Sequence, residues 1–131
     1  MKKLLIALSV FALQGCMLLD AYLMKYDTNE YRIITDIRAK AELYKGECNL
    51  PVAPANAQDI ANTTRLFVLY AQYQPHNQPT KNASIELDKI AQGLAEQYKK
   101  STVSGMFCQI KYGTIEHSAE TMQKTIGAKP R

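Results

Sequence analysis

Glu30-Tyr31-Arg32-Ile33-Ile34-Thr35-Asp36-Ile37-Arg38-Ala39-Lys40-Ala41-Glu42-Leu43-Tyr44-Lys45-Gly46-Glu47-Cys48 is the stretch on which the fold turns. Ile34, Ile37, Ala41, Tyr44 and Cys48 step along it by 3, 4, 3 and 4 residues, which puts them on one stripe of an α-helix. Arg32, Asp36, Lys40 and Lys45 fall mostly off that stripe. The spacing predicts an amphipathic helix over 30–47, with Cys48 at its end on the buried side. A cysteine there is well placed for a crosslink to a neighbouring helix.

The same periodicity returns downstream. Asn49-Leu50-Pro51-Val52-Ala53-Pro54 reads as a break, because each proline disfavours helix in the residue before it. Asn56 is the expected cap of a second helix over 56–74, with Asp59 completing a capping box. Its stripe is Ile60, Thr64, Phe67, Tyr70 or Ala71, and Gln74. Leu66-Phe67-Val68-Leu69-Tyr70 has strand-like composition, but length and context favour helix. A polar loop over 74–80 precedes a third helix, capped by Thr80 or Asn82 and running to Lys100, with Leu87, Ile90, Leu94 and Tyr98 inward. Gly93 beside Leu94 suggests close helix packing. The last helix starts near Ser104. Cys108, Tyr112, Ile115, Ala119, Met122 and Ile126 form its stripe, and Gly127 and Pro130 its stop. The expectation is an all-α fold, a small four-helix bundle over 30–127, followed by a loose tail over 128–131.

The amino terminus carries a different signal. Met1-Lys2-Lys3 supplies positive charge, Leu4 to Leu13 is apolar, and Leu13-Gln14-Gly15-Cys16 closes the run. About ten apolar residues are too few to span a bilayer core of about 30 Å, so the segment reads as a signal peptide over 1–15. Its end in cysteine resembles the lipobox of bacterial lipoproteins. The resemblance implies cleavage before Cys16, a diacylglycerol on its sulfur and an acyl group on the new amine. Residues 16–29 would then be a lipidated tether. Met17 stands where an aspartate would favour inner-membrane retention, so the resemblance points to the periplasmic side of the outer membrane.

Cleavage would leave 131 − 15 = 116 residues, one domain of ordinary size. The formal charge of +4 would fall to 14 − 12 = +2 with Lys2 and Lys3 removed. The charges alternate in sign and form no basic block, so no nucleic-acid partner is expected. With Cys16 taken by lipid, Cys48 and Cys108 remain, and two exported thiols most often form one disulfide. Two alternatives use the same thiols. Cys48, Cys108, His76 and His117 would make a zinc set, but their spacing matches no finger or ribbon. Cys108 with His117 would make a nucleophile and base, but needs a free thiolate.

Other constellations for chemistry are sparse. No Gly-x-Ser-x-Gly elbow or glycine-rich phosphate loop occurs. Glu116 and Glu120, or Glu86 and Asp88, are the carboxylate pairs a cell-wall glycosidase would need, and both pairs read more simply as solvent-facing charges. No cofactor and no small-molecule substrate is expected, and the chain reads as a non-enzyme. Among eight tyrosines, Tyr70, Tyr73 and Tyr98 lie on or near helical stripes, as core residues with rim hydroxyls or as the lining of a partner groove.

Tyr44-Lys45 followed by Cys48-Asn49-Leu50-Pro51, with Cys108 opening the last helix, resembles the pilotins of type II secretion systems. The resemblance spans 38–52 and the neighbourhood of Cys108. The tryptophan common in that family's middle helices is absent here, so only Cys48 and Cys108 carry over. It implies four helices, a disulfide tying the first to the last, and a concave face that holds a short C-terminal helix of a secretin. The acyl chains would then carry the secretin to the outer membrane. The expected function is a lipid-anchored adaptor that binds another envelope protein, such as a secretin. The alternative is a phage- or plasmid-encoded envelope lipoprotein acting in superinfection exclusion or lysis.

Overall fold

The computed structural model describes residues 24–131. The expected signal segment, Cys16 and the first part of the tether lie outside the described residues. Four helices follow in order: α1 (Thr28–Lys45), α2 (Ala53–Ala71), α3 (Gln78–Lys100) and α4 (Gly105–Gly127). Each packs on two others in a closed ring, α1 on α4 and α2, and α3 on α2 and α4. Neighbours run antiparallel. Near the start of α1, Tyr31 and Thr35 meet Gln123 near the end of α4, and the end of α1 is bridged to the start of α4. The all-α four-helix bundle expected from the periodicity is the architecture found.

The stripes read from the sequence are the core. Ile34, Ile37, Ala41, Ile60, Phe67, Leu87 and Leu94 are fully or almost fully buried, as are Cys108, Tyr112, Ile115, Ala119 and Ile126. Burying each large aliphatic or aromatic side chain contributes about 1.5–3 kcal/mol, so the apolar core is the main term holding four short helices together. No helix among the described residues is long and apolar enough to cross a membrane.

The ends of the helices depart from expectation in an instructive way. Asp27 caps α1, accepting from the Glu30 amide at 2.7 Å, and Ser104 caps α4, accepting from the Phe107 amide at 3.1 Å. Ser104 stands where the last helix was expected to start. Asn56 and Thr80 are not caps. α2 begins three residues before Asn56 and α3 two before Thr80, each with a proline (Pro54, Pro79) in its first turn. Proline lacks the amide that a first-turn residue leaves unpaired anyway, so it opens these helices instead of breaking them. α1 starts two residues before the expected boundary at 30 and stops at Lys45, so Cys48 lies in the following turn.

Two further expectations are corrected. A methyl added at Gly93 would meet nothing within 4 Å, so this glycine marks no close packing. Close approach occurs instead at Gly105, where a Cβ would stand 2.0 Å from Asn49 Oδ1. The tail is not wholly loose. Lys129 is buried, its Nζ donating to Glu30 Oε2 at 2.6 Å and to Asn77 Oδ1 at 2.9 Å, and the Tyr26 amide donates to the Pro130 carbonyl at 2.8 Å.

Candidate protein interface at the bridged end

Cys48 and Cys108 form a disulfide across 60 residues of chain, with their Cα atoms 5.8 Å apart. It fixes the α1–α2 connection against the first turn of α4. The α3–α4 connection lies alongside, and between the two runs an open groove of about 790 Å³ lined by Cys48, Leu50, Pro51, Tyr98, Val103 and Gly105, among others. Local sequence explains the shape. Pro51 lies in the first connection and Pro54 opens α2, and the absent Cβ of Gly105 admits the Asn49 amide. Lys99 and Lys100 stand on the opposite lip.

Large apolar side chains lie exposed around this end. Met106 and Ile110, one turn apart on α4, are 73% and 61% exposed, and Leu50 and Val52 are 51% and 42% exposed. Phe107 is partly covered by Lys111, whose ammonium sits 5.3 Å from the ring centroid. Beneath the groove, the Tyr98 and Tyr112 hydroxyls are both buried, and neither has a hydrogen-bond partner in the described structure. Burial pushes both hydroxyls above the ordinary tyrosine value, so they stay protonated. Tyr112 packs its ring against Tyr44 in an edge-to-face pair with centroids 5.9 Å apart.

Tyr44 leads from there into a polar clasp between α1 and α2. Its hydroxyl donates to Asp59 Oδ2 at 2.6 Å, and Lys40 Nζ lies 3.0 Å from the same carboxylate and 2.9 Å from the Thr63 hydroxyl. Burial alone would raise Asp59, but the hydrogen bonds from Tyr44 and Lys40 outweigh it and hold the carboxyl below its usual range. Burial and then Asp59 push Tyr44 up to about 12. This clasp joins α1 to α2.

The residues singled out for catalysis or metal binding do not converge. Both sulfurs of the drawn zinc set are in the bridge. His76 sits in the α2–α3 connection at the other end of the bundle, with a left-handed backbone at φ 54°. His117 is nine residues along α4 from Cys108, about 13 Å of helix rise. Among the described residues no group of three or more His, Cys, Asp or Glu side chains is placed to hold a metal ion. Glu116 pairs with Lys45, and Glu120 with Lys124 at 2.7 Å. Glu86 pairs with Lys89, but Asp88 is not solvent-facing as the sequence suggested. It is buried, taking the Thr64 hydroxyl at 2.9 Å, Gln92 at 3.0 Å and Arg65 at 3.2 Å.

Of the three tyrosines, Tyr98 lines the groove, Tyr70 is half-buried and donates to Asp27 at 2.9 Å, and Tyr73 is 82% exposed rather than in the core. Sequence reading passed over Met106 and Ile110. Their signal was present, since both stand one turn apart off the stripe of Cys108, Tyr112 and Ile115. Comparison with known protein families, with characterised proteins and with solved structures returns no match for this chain.

Proposed function

We propose that the protein is a lipid-anchored helical adaptor of the cell envelope, which holds another envelope protein at its bridged end. A pilotin-like escort of a secretin subunit to the outer membrane is the sharpest form of this reading. The observation that carries it is the open groove between the α1–α2 and α3–α4 connections, with Leu50 in its lining and Val52, Met106 and Ile110 exposed near the same end of the bundle. Apolar side chains of this size grouped at one end of a small domain mark an interaction surface. A partner helix laid along such a groove would bury an apolar face at i, i+4 spacing and set its acidic residues against Lys99, Lys100 and Lys111. The Leu13-Gln14-Gly15-Cys16 tetrad supports the anchor, and the Cys48–Cys108 bridge supports an oxidising compartment.

The test is photocrosslinking in intact cells from a benzophenone amino acid placed at Met106 or Ile110, with Glu42 as the control position. The expected result is one envelope protein captured from both α4 positions and not from Glu42. If that protein is a secretin, its assembly at the outer membrane should fail in cells lacking this chain. Absence of any envelope protein from the α4 adducts would contradict the reading.

A further inference from the structure

α2 carries two apolar faces. One holds Thr64, Phe67 and Ala71 and is buried in the bundle. The other holds Leu66 and Leu69, 54% and 50% exposed, and is continued four residues on by Tyr73, 82% exposed in the turn just after α2. Apolar residues at that spacing form a continuous stripe, and no helix of the described bundle covers this one.

Its position says what does. The stripe runs to the end of α2 that lies beside the start of α1, because Tyr70 in its midst donates to Asp27, the α1 cap, at 2.9 Å. This is the end at which the chain arrives from Cys16. Cys16 and Met24 are 24 − 16 = 8 peptide steps apart, a reach of at most roughly 28 Å. The bundle is about 35 Å long, the length of its 23-residue helices. Lys25 and Arg131 are exposed here, with Arg131 over the Tyr26 ring at 5.0 Å from its centroid. Of the nearby acids, Glu30 is paired with Lys129, whereas Asp27 is hydrogen-bonded by the neutral Glu30 amide and Tyr70 hydroxyl and keeps its charge. So this end presents an apolar stripe, a tyrosine tip and a small excess of positive side-chain charge, Lys25 and Arg131 against Asp27.

We infer that Leu66, Leu69 and Tyr73 lie against a phospholipid bilayer surface, with Lys25 and Arg131 set against its anionic headgroups. The inference rests on the reading of Cys16 as the lipid anchor, which places that surface within reach. An apolar helix face beds about 5–10 Å into the headgroup boundary, and tyrosine favours that depth. An anchor on one residue would let the bundle swivel. A second contact along α2 fixes its orientation and turns the bridged end, with its groove, away from the membrane.

The chain contains no tryptophan, so one introduced indole reports without background. The full chain is expressed in cells as Tyr73→Trp or as Leu43→Trp, extracted and reconstituted into phosphatidylethanolamine–phosphatidylglycerol vesicles with acyl chains brominated near the headgroup. Leu43 is also exposed, near the bridged end. The expected result is Tyr73→Trp emission cut by about half, with Leu43→Trp emission unchanged. Unquenched Tyr73→Trp emission, or equal quenching at both positions, overturns the inference, including where a second copy of the chain covers the stripe. The mass of the N-terminal peptide from the same sample reports the anchor separately. A bare Cys16 with quenched Tyr73→Trp fails the anchor and keeps the surface, and an acylated Cys16 with unquenched Tyr73→Trp does the reverse.

Discussion

Lys129 and Glu30 show how much a single position decides here. Both are buried, and each satisfies the other together with Asn77. Burying two charges costs nearly what their attraction returns, but removing one partner strands the other. Lys129→Met should therefore lower unfolding free energy by about 3–5 kcal/mol, read from the urea midpoint. Adding Glu30→Gln in the same chain should recover much of the loss. Asp59 makes a prediction of opposite character. Its carboxyl is held low, so it contributes stability above its unfolded value near 3.8, and that contribution is lost as pH falls through the lower folded value. Tyr44 is pushed up to about 12 from 10.0, so its share is complete below 10.0 and is lost as pH rises toward 12. Asp59→Asn should flatten the acid limb of a stability–pH profile measured by urea titration, and a limb of unchanged slope would exclude the clasp. Neither cluster was legible in the sequence. Lys129 and Glu30 are 99 residues apart, Asn77 and Glu30 are 47 apart, and no local pattern joins them.

The helices themselves were legible, for a physical reason. Ile34, Ile37 and Ala41 in α1 and the Cys108-to-Ile126 series in α4 repeat at the helical period, and burial follows that period directly. A cap forms where a side chain reaches its own backbone, as Asp27 and Ser104 do. Asn56 and Asn77 instead spend their amides on Glu47 and Glu30. Two glycines remain unexplained by packing. Gly93 and Gly113 lie inside α3 and α4, and an added Cβ at either meets nothing within 4 Å. Gly93→Ala and Gly113→Ala should each raise stability by about 0.5–1 kcal/mol, because alanine loses less backbone entropy in a helix. Thermal unfolding followed by circular dichroism checks this, and a fall in midpoint would mean that the helices need flexibility there.

Across the whole molecule, the bridge sets the balance. Closing a loop of 60 residues stabilises the folded state by about 4 kcal/mol in the chain-entropy model, a large part of the 5–15 kcal/mol typical of a domain. Reduction, or Cys48→Ser with Cys108→Ser, should shift the urea midpoint by a corresponding amount while the helical spectrum below the transition persists. It should also loosen the groove, since Cys48 is part of its wall. The groove was only partly legible. Tyr98 was among the tyrosines read as groove lining, but the groove itself depends on two connections meeting, which no single segment encodes. On the proposed reading the two ends of the bundle would divide the work, one set against lipid and one turned toward a partner. That division depends on acyl chains at Cys16. Mass spectrometry of the N-terminal peptide, from the protein isolated out of its native envelope, tests this most directly. The account predicts a chain beginning at Cys16 with a glyceride thioether on its sulfur and an acylated amine. An uncleaved Met1 with a free thiol at Cys16 would contradict it.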